Sequence, residues 1–144
     1  MVNKEVLLSE LCSRLPYGVK CDIGDNKPYT LNSIEVDYTG GHLIRFKELK
    51  NGFIMEVYLS EVKPYLFPLS SMTEDQELEL KIILEKYSVS FHRSNFSFLD
   101  LDGYSEVSYD AILEVTKWFY KNHFDIHDLI KENLAYSAVE LNIY

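Results

Sequence analysis

The stretch Lys63–Glu74, reading KPYLFPLSSMTE, divides the chain by rhythm. Ahead of it apolar residues mostly alternate with polar ones, the two-residue period of half-buried strands. Behind it they recur every three or four positions, as on one face of a helix. Pro64 and Pro68 fix φ and carry no backbone donor, so regular structure stops or changes there. Ser70, Ser71 and Thr73 then offer side-chain oxygens that can start a helix. This predicts an α+β protein with a helix-plus-β lobe over residues 1–69 and a helical lobe over 70–144, both packed on one core.

In the first lobe, Asn3 is placed to cap an N-terminal helix over Lys4–Arg14. Its apolar stripe reads Leu7, Leu8, Leu11, Cys12 and Leu15. Pro16 and Gly18 end it. Val19, Cys21 and Ile23 alternate with polar residues as a first strand, and residues 24–28 (GDNKP) form a turn. A second strand over 29–38 slips phase between Leu31 and Ile34, the mark of a bulge. Gly40–Gly41 turns the chain into a third strand, 42–47, with Ile44 and Phe46 on one face. Asn51–Gly52 is a strong hairpin signal, because both residues tolerate positive φ. A fourth strand over 53–59, a helical turn at 60–62 and an edge strand at 64–67 complete a set of five. That number of short strands with these turns predicts a small SH3-like barrel, whose closure would remove open edges.

In the second lobe, Thr73 with Gln76, or Ser71 with Glu74, forms a capping box for a helix carrying Leu80, Ile83, Leu84 and Tyr87 on one face. Residues 88–104 are compatible with a small β-hairpin. A helix over 108–122 turns Ile112, Val115, Trp118 and Phe119 inward. Asp125 caps a short last helix over 126–133, with Leu129 and Ile130 buried, and residues 135–144 lie extended on the core.

Charge limits the partners. The net charge is −9, and it is uneven: residues 1–72 hold 8 basic and 9 acidic side chains, residues 73–144 hold 6 and 14. Broad binding to a phosphate backbone, which needs clustered Lys and Arg, is disfavoured. The positive charge that exists lies in the β lobe, where Lys20, Arg45 and Lys47 with nearby aromatics would make a modest nucleic-acid face. Cys12 and Cys21 lack metal spacing and read as buried free thiols. No leader sequence and no membrane-length apolar run is visible, so a cytoplasmic setting is expected.

Catalytic patterns are missing. Asp100, Asp102, Gly103 and Glu106 resemble part of a calcium loop, but Phe98 and Tyr109 occupy the positions of its terminal carboxylates. His123 and His127, four apart, lack the glutamate of a zinc-protease helix. No nucleophile elbow, phosphate loop or dinucleotide fingerprint occurs. No cofactor or metal is expected.

KPYLFPLSSMTEDQ together with WFYKNHFDIHDLI, and the opening SELCSRLPYGVKC, resembles a set of small proteins of gut bacteria and their phages for which no activity is assigned. The likeness covers most of the chain. It departs at Phe67, where the set often has a basic residue, and at Asn122, His127 and Asp128. It implies a phage or mobile-element setting and carries over no catalytic residue. The resulting expectation is a non-enzymatic protein-interaction module, monomeric or homodimeric, acting as an inhibitor or regulator of a host protein. Its face would include Tyr65, Phe67, Trp118 and Tyr120 with Asp110 and Glu114. Nucleic-acid binding and an unrecognised enzyme are the alternatives.

Overall fold

The structure is a computed structural model describing residues 4–47, 52, 54–92, 97–100 and 108–144. The chain forms two compact units, one of residues 1–66 and 127–144, the other of residues 67–126. The first unit therefore recruits the end of the sequence, which the change of rhythm at the prolines does not signal.

In the first unit, α1 (Lys4–Arg14) runs into a 3-10 turn at Leu15–Tyr17, and Gly18 ends it in the left-handed region at φ 66°. Only glycine reaches that conformation without a Cβ penalty. The strands are β1 (Lys20–Asp22), β2 (Tyr29–Val36), β3 (His42–Lys47), β4 (Ile54–Tyr58) and β5 (Lys63–Pro68). They lie in the order β4-β3-β2-β1-β5, all antiparallel. The expected bulge appears as a register shift between Leu31 and Ser33 in β2. Asp37 builds the turn before β3, its Oδ1 accepting from the amides of Thr39 and Gly41, both at 2.8 Å.

The barrel does not form: among the described residues the sheet is open, with β4 at one end paired only to β3. The reason lies in β5, which was expected at an edge. It pairs with β1 on one side, and on the other β9 (Tyr136–Ser137) runs parallel to it, Tyr65 opposite Tyr136. No side of β5 in this unit is left for β4. Pro64 is tolerated because it stands opposite Cys21 at a position whose amide side faces away from β1, and β9 begins only at Tyr65.

The core of this unit gathers Leu11, Val19, Cys21, Ile44, Phe46 and Leu66, each fully buried. Burying side chains of this kind contributes roughly 1.5–3 kcal/mol apiece. The inner face of α1 is Leu7, Glu10, Leu11 and Arg14, so the helix is rotated from the expected stripe and Cys12 is exposed rather than buried. The short helix expected over 126–133 is replaced by turns. Asp125 lies in a strand rather than at a cap, and Asp128 and Asn133 take φ 56° and 59°, which a right-handed helix excludes. Leu129 is buried as expected.

In the second unit, the last residues of β5 pair in parallel with β8 (Phe124–Asp125). A 3-10 turn at Leu69–Ser71 leads to α2 (Glu74–Lys86). Its capping box is the Thr73–Gln76 pair, with the Thr73 amide donating to Gln76 Oε1 at 3.0 Å and the Gln76 amide to Thr73 Oγ1 at 3.2 Å. The hairpin is present as β6 (Val89–His92) and β7 (Ser97–Asp100). Ser108 caps α3 (Tyr109–Lys121). Val115, Trp118, Phe119 and Phe124 form the core with Leu80 and Met72. Ile112, expected inward, is 41% exposed, because Ala111, Val115, Trp118 and Phe119 set the buried stripe and leave it at the side. Among the described residues no helix is long and apolar enough to cross a membrane.

Candidate functional site

Two strand ends and a returning segment build a groove in the first unit. Tyr65 of β5 and Tyr136 of β9 stand side by side in register, their ring centroids 5.7 Å apart. Leu141 and Ile143 supply one apolar wall, and Pro28 and Asn26 of the β1–β2 turn another, enclosing about 370 Å³. That volume is at the small end for pockets that hold a side chain or small ligand. Lys63 Nζ lies 4.9 Å from the centre of the Tyr136 ring and donates to Asn133 Oδ1 at 3.0 Å.

Two carboxylates, Asp22 and Asp25, lie near Tyr65 but are not among the residues that line the groove. Burial, and then the charge of Asp22, push the Tyr65 phenol above its ordinary value. Asp22 is buried; its Oδ2 accepts from the Gly24 amide at 3.0 Å, while Oδ1 has no hydrogen-bond partner among the described residues. Beside it, Asp25 is held below the usual carboxylate range, chiefly by the Tyr29 hydroxyl that donates to it at 2.6 Å. A groove with aromatic walls and this polarity suits an apolar stem ending in a donor or cation.

The segment that walls the groove is held by the pairing of β9 with β5, by the Ala138 amide donating to the Leu66 carbonyl at 2.7 Å, and at its end by a hydroxyl. Tyr144 Oη accepts from the Lys20 amide at 2.9 Å and donates to the Tyr65 carbonyl at 2.7 Å. Lys20 and Tyr65 face each other across β1 and β5, so the phenol oxygen occupies a rung of the ladder. Burial pushes this phenol well above its usual range. A second cavity in this unit, also about 370 Å³, is lined by Lys4, Glu5, Leu8, His42, Tyr58 and Ser60.

Sequence-derived candidates fall in different places. Tyr65 is only 7% exposed, with one side in the groove. Trp118 is a core residue of the second unit at 8% exposure; it stacks on Phe124 at 5.7 Å, meets Phe119 edge-on at 5.3 Å, and donates to Glu79 Oε2 at 3.2 Å. Phe67 and Tyr120 are half-buried against the same cluster. Trp118, Phe67 and Tyr120 are engaged in the packing of the second unit. Glu114 accepts from Lys86 Nζ at 2.9 Å and from the Tyr87 hydroxyl, which lowers its carboxyl, the phenol being the larger cause. Asp110 is exposed on the first turn of α3.

Of the basic candidates, Arg45 is held between Glu56, at 2.8 Å, and Glu35. Lys20 Nζ donates to Thr30 Oγ1 at 3.0 Å, and Lys47 is exposed. Lys20, Thr30 and Lys47 stand in one row across three strands. His123 does not project from a helix: it takes φ 59° just beyond α3, where its carbonyl accepts from the Phe67 amide at 2.9 Å. His127 Nδ1 contacts Glu10 Oε1 at 2.6 Å. Among the described residues no three His, Cys, Asp or Glu side chains are grouped to hold a metal ion. Asp102, Gly103 and Glu106 lie outside the described residues.

A feature missed in the sequence is the ion pair inside the first unit. Glu10 and Arg14 are 2% and 0% exposed and meet at 2.7 Å. Burial by itself would raise the Glu10 carboxyl, but the His127 contact and Arg14 together hold it below its ordinary value. Leu7 and Leu11 mark the buried stripe, and positions 10 and 14 fall on it at helical spacing, which is the one signal the sequence offered.

No known protein family, curated protein or solved structure matches the chain.

Proposed function

We propose that the protein is a non-enzymatic binding module that engages another protein through the groove at Tyr65 and Tyr136. The observation that carries this reading is the groove itself: paired tyrosines between walls that include Pro28, Leu141 and Ile143, with the charge of Asp22 close enough to act on Tyr65. It would take an exposed Lys or Arg side chain of the partner, the stem against the rings and the charged tip toward Asp22. The sequence likeness adds a phage or mobile-element origin and a role as regulator of a host protein in the cytoplasm. Nucleic-acid binding is the weaker reading, since two carboxylates already engage Arg45 and the chain as a whole is acidic.

The test is a native-source capture with mass spectrometry, comparing the natural chain with Leu141→Asp and Tyr136→Asp. A partner retained by the natural chain and lost with both variants supports the groove. The same proteins retained by all three, or none by any, refute it. A salt-dependent shift of DNA or RNA weakened by Lys47→Glu would favour the second reading.

A further inference from the structure

A second surface lies at the open end of the sheet and does not depend on the groove. β4 pairs with β3 through Leu43 opposite Tyr58, Arg45 opposite Glu56 and Lys47 opposite Ile54. The Tyr58 amide donates to Glu61 Oε2 at 3.1 Å, so it points away from β3. In an antiparallel ladder residues two apart share that direction. Ile54 and Glu56 therefore also turn their amides and carbonyls to the free edge, and Tyr58 its carbonyl. Glu61 blocks one end of this row, and among the described residues no strand pairs with the rest.

Natural edges are commonly guarded by lysine, proline or a bulge. Ile54–Tyr58 (IMEVY) has none of these, and Ile54 and Tyr58 are 57% and 53% exposed. Glu56 stands between them on the same face. Its Oε1 is taken by Arg45, which also serves Glu35, so two carboxylates share one guanidinium; Glu56 is the one charged side chain on β4 itself, and Lys47 stands one strand further in, opposite Ile54.

We infer that the free edge of β4 receives an extended segment of another protein as an added strand, with apolar residues beside Ile54 and Tyr58 and a basic residue opposite Glu56. Backbone pairing supplies the attachment and the alternating side chains the selectivity. A second copy of this chain is the poorer occupant: a two-fold pairing centred on β4 sets Glu56 against its own copy, and like charges directly opposite destabilise a strand pair.

The test is a titration of the full chain, followed by amide NMR, with two capped octapeptides, one alternating valine and arginine, the other valine and glutamate. The arginine peptide should shift amides from Ile54 to Tyr58, slow exchange at Ile54 and Glu56, and bind on the order of tenfold more tightly than the glutamate peptide. Glu56→Lys should reverse that preference. Glu56→Pro, which removes an outward donor that an edge can lose, should abolish binding while β3 amides stay protected. Tyr136→Asp should leave peptide binding unchanged, which separates this surface from the groove. Equal affinity for both peptides, shifts confined to other strands, loss of binding with Tyr136→Asp, or concentration-dependent pairing of β4 without peptide would overturn the inference.

Discussion

Removing the carboxylate of Glu10 should be the most damaging single change in the first unit. Arg14 is fully buried and Glu10 is 2% exposed, so Glu10→Ala strands a guanidinium where water cannot solvate it. Breaking a buried pair from one side costs about 3–5 kcal/mol. A domain is typically stable by only about 5–15 kcal/mol, so much of the unit's stability is at stake. Replacing both partners by apolar residues of similar volume, Glu10→Leu with Arg14→Met, should be nearly neutral, because no charge is left behind. His127→Ala should cost under about 1 kcal/mol, since that side chain is 47% exposed. Urea unfolding followed by hydrogen exchange at Ile44 and Phe46 reads the first unit; Trp118 fluorescence reads the second. If Glu10→Ala costs less than about 1 kcal/mol, or the double variant is as unstable as the single one, the buried-charge argument fails.

Tyr144→Phe removes the hydroxyl between Lys20 and Tyr65 and leaves two backbone groups without it, so a loss of about 1–2 kcal/mol and faster exchange of the Lys20 amide are expected, water replacing part of the bond. Acid should weaken the first unit. Glu10 sits below its ordinary value of 4.5, so its contribution is present above that pH and drains away as pH falls further; midpoint urea concentrations from pH 6 to about 3 would show the decline, and Glu10→Gln should flatten it. Alkali should weaken it too. Cys21, Tyr65 and Tyr144 are all raised, so stability is full below about pH 9 and falls above it, and Tyr144→Phe should reduce the slope. Thr73→Ala should destabilise the second unit by about 1 kcal/mol, measured through Trp118, because the reciprocal cap of α2 is lost.

Local chemistry was legible wherever one or two residues decide the outcome. Thr73 with Gln76, Gly18 after the first helix, the phase slip at Leu31 and the alternation around Ile44 and Phe46 all act within a few residues of themselves. What could not be read were choices made between distant segments. Whether a sheet closes depends on which strand reaches β5 first, and nothing near Pro64 announces that Tyr136 will lie beside Tyr65. Charge shows the same limit: an i,i+4 ion pair on a helix is ordinarily solvated, whereas Glu10 and Arg14 are buried. The aromatic residues pose the same difficulty. Trp118 and Phe67 were legible as large rings, but whether a ring meets a partner protein or Phe124 is set by packing that one sequence does not display. Of the groove, only Tyr65 was anticipated. Tyr136, Leu141 and Ile143 belong to a segment with no periodic signature, and its course is set by pairing with distant β5 and by the Tyr144 hydroxyl.

The order in which the two units can be completed follows from their threading. Residues 67–126 are contiguous, whereas the other unit needs 127–144, including the strand at Tyr136 that follows its neighbour Tyr65 only after the whole of that stretch. On a ribosome the enclosed stretch is thus fully delivered while its host still lacks a neighbour for β5. Until Tyr136 and Ser137 emerge, the nascent chain carries an exposed β5 edge that a chaperone has reason to hold.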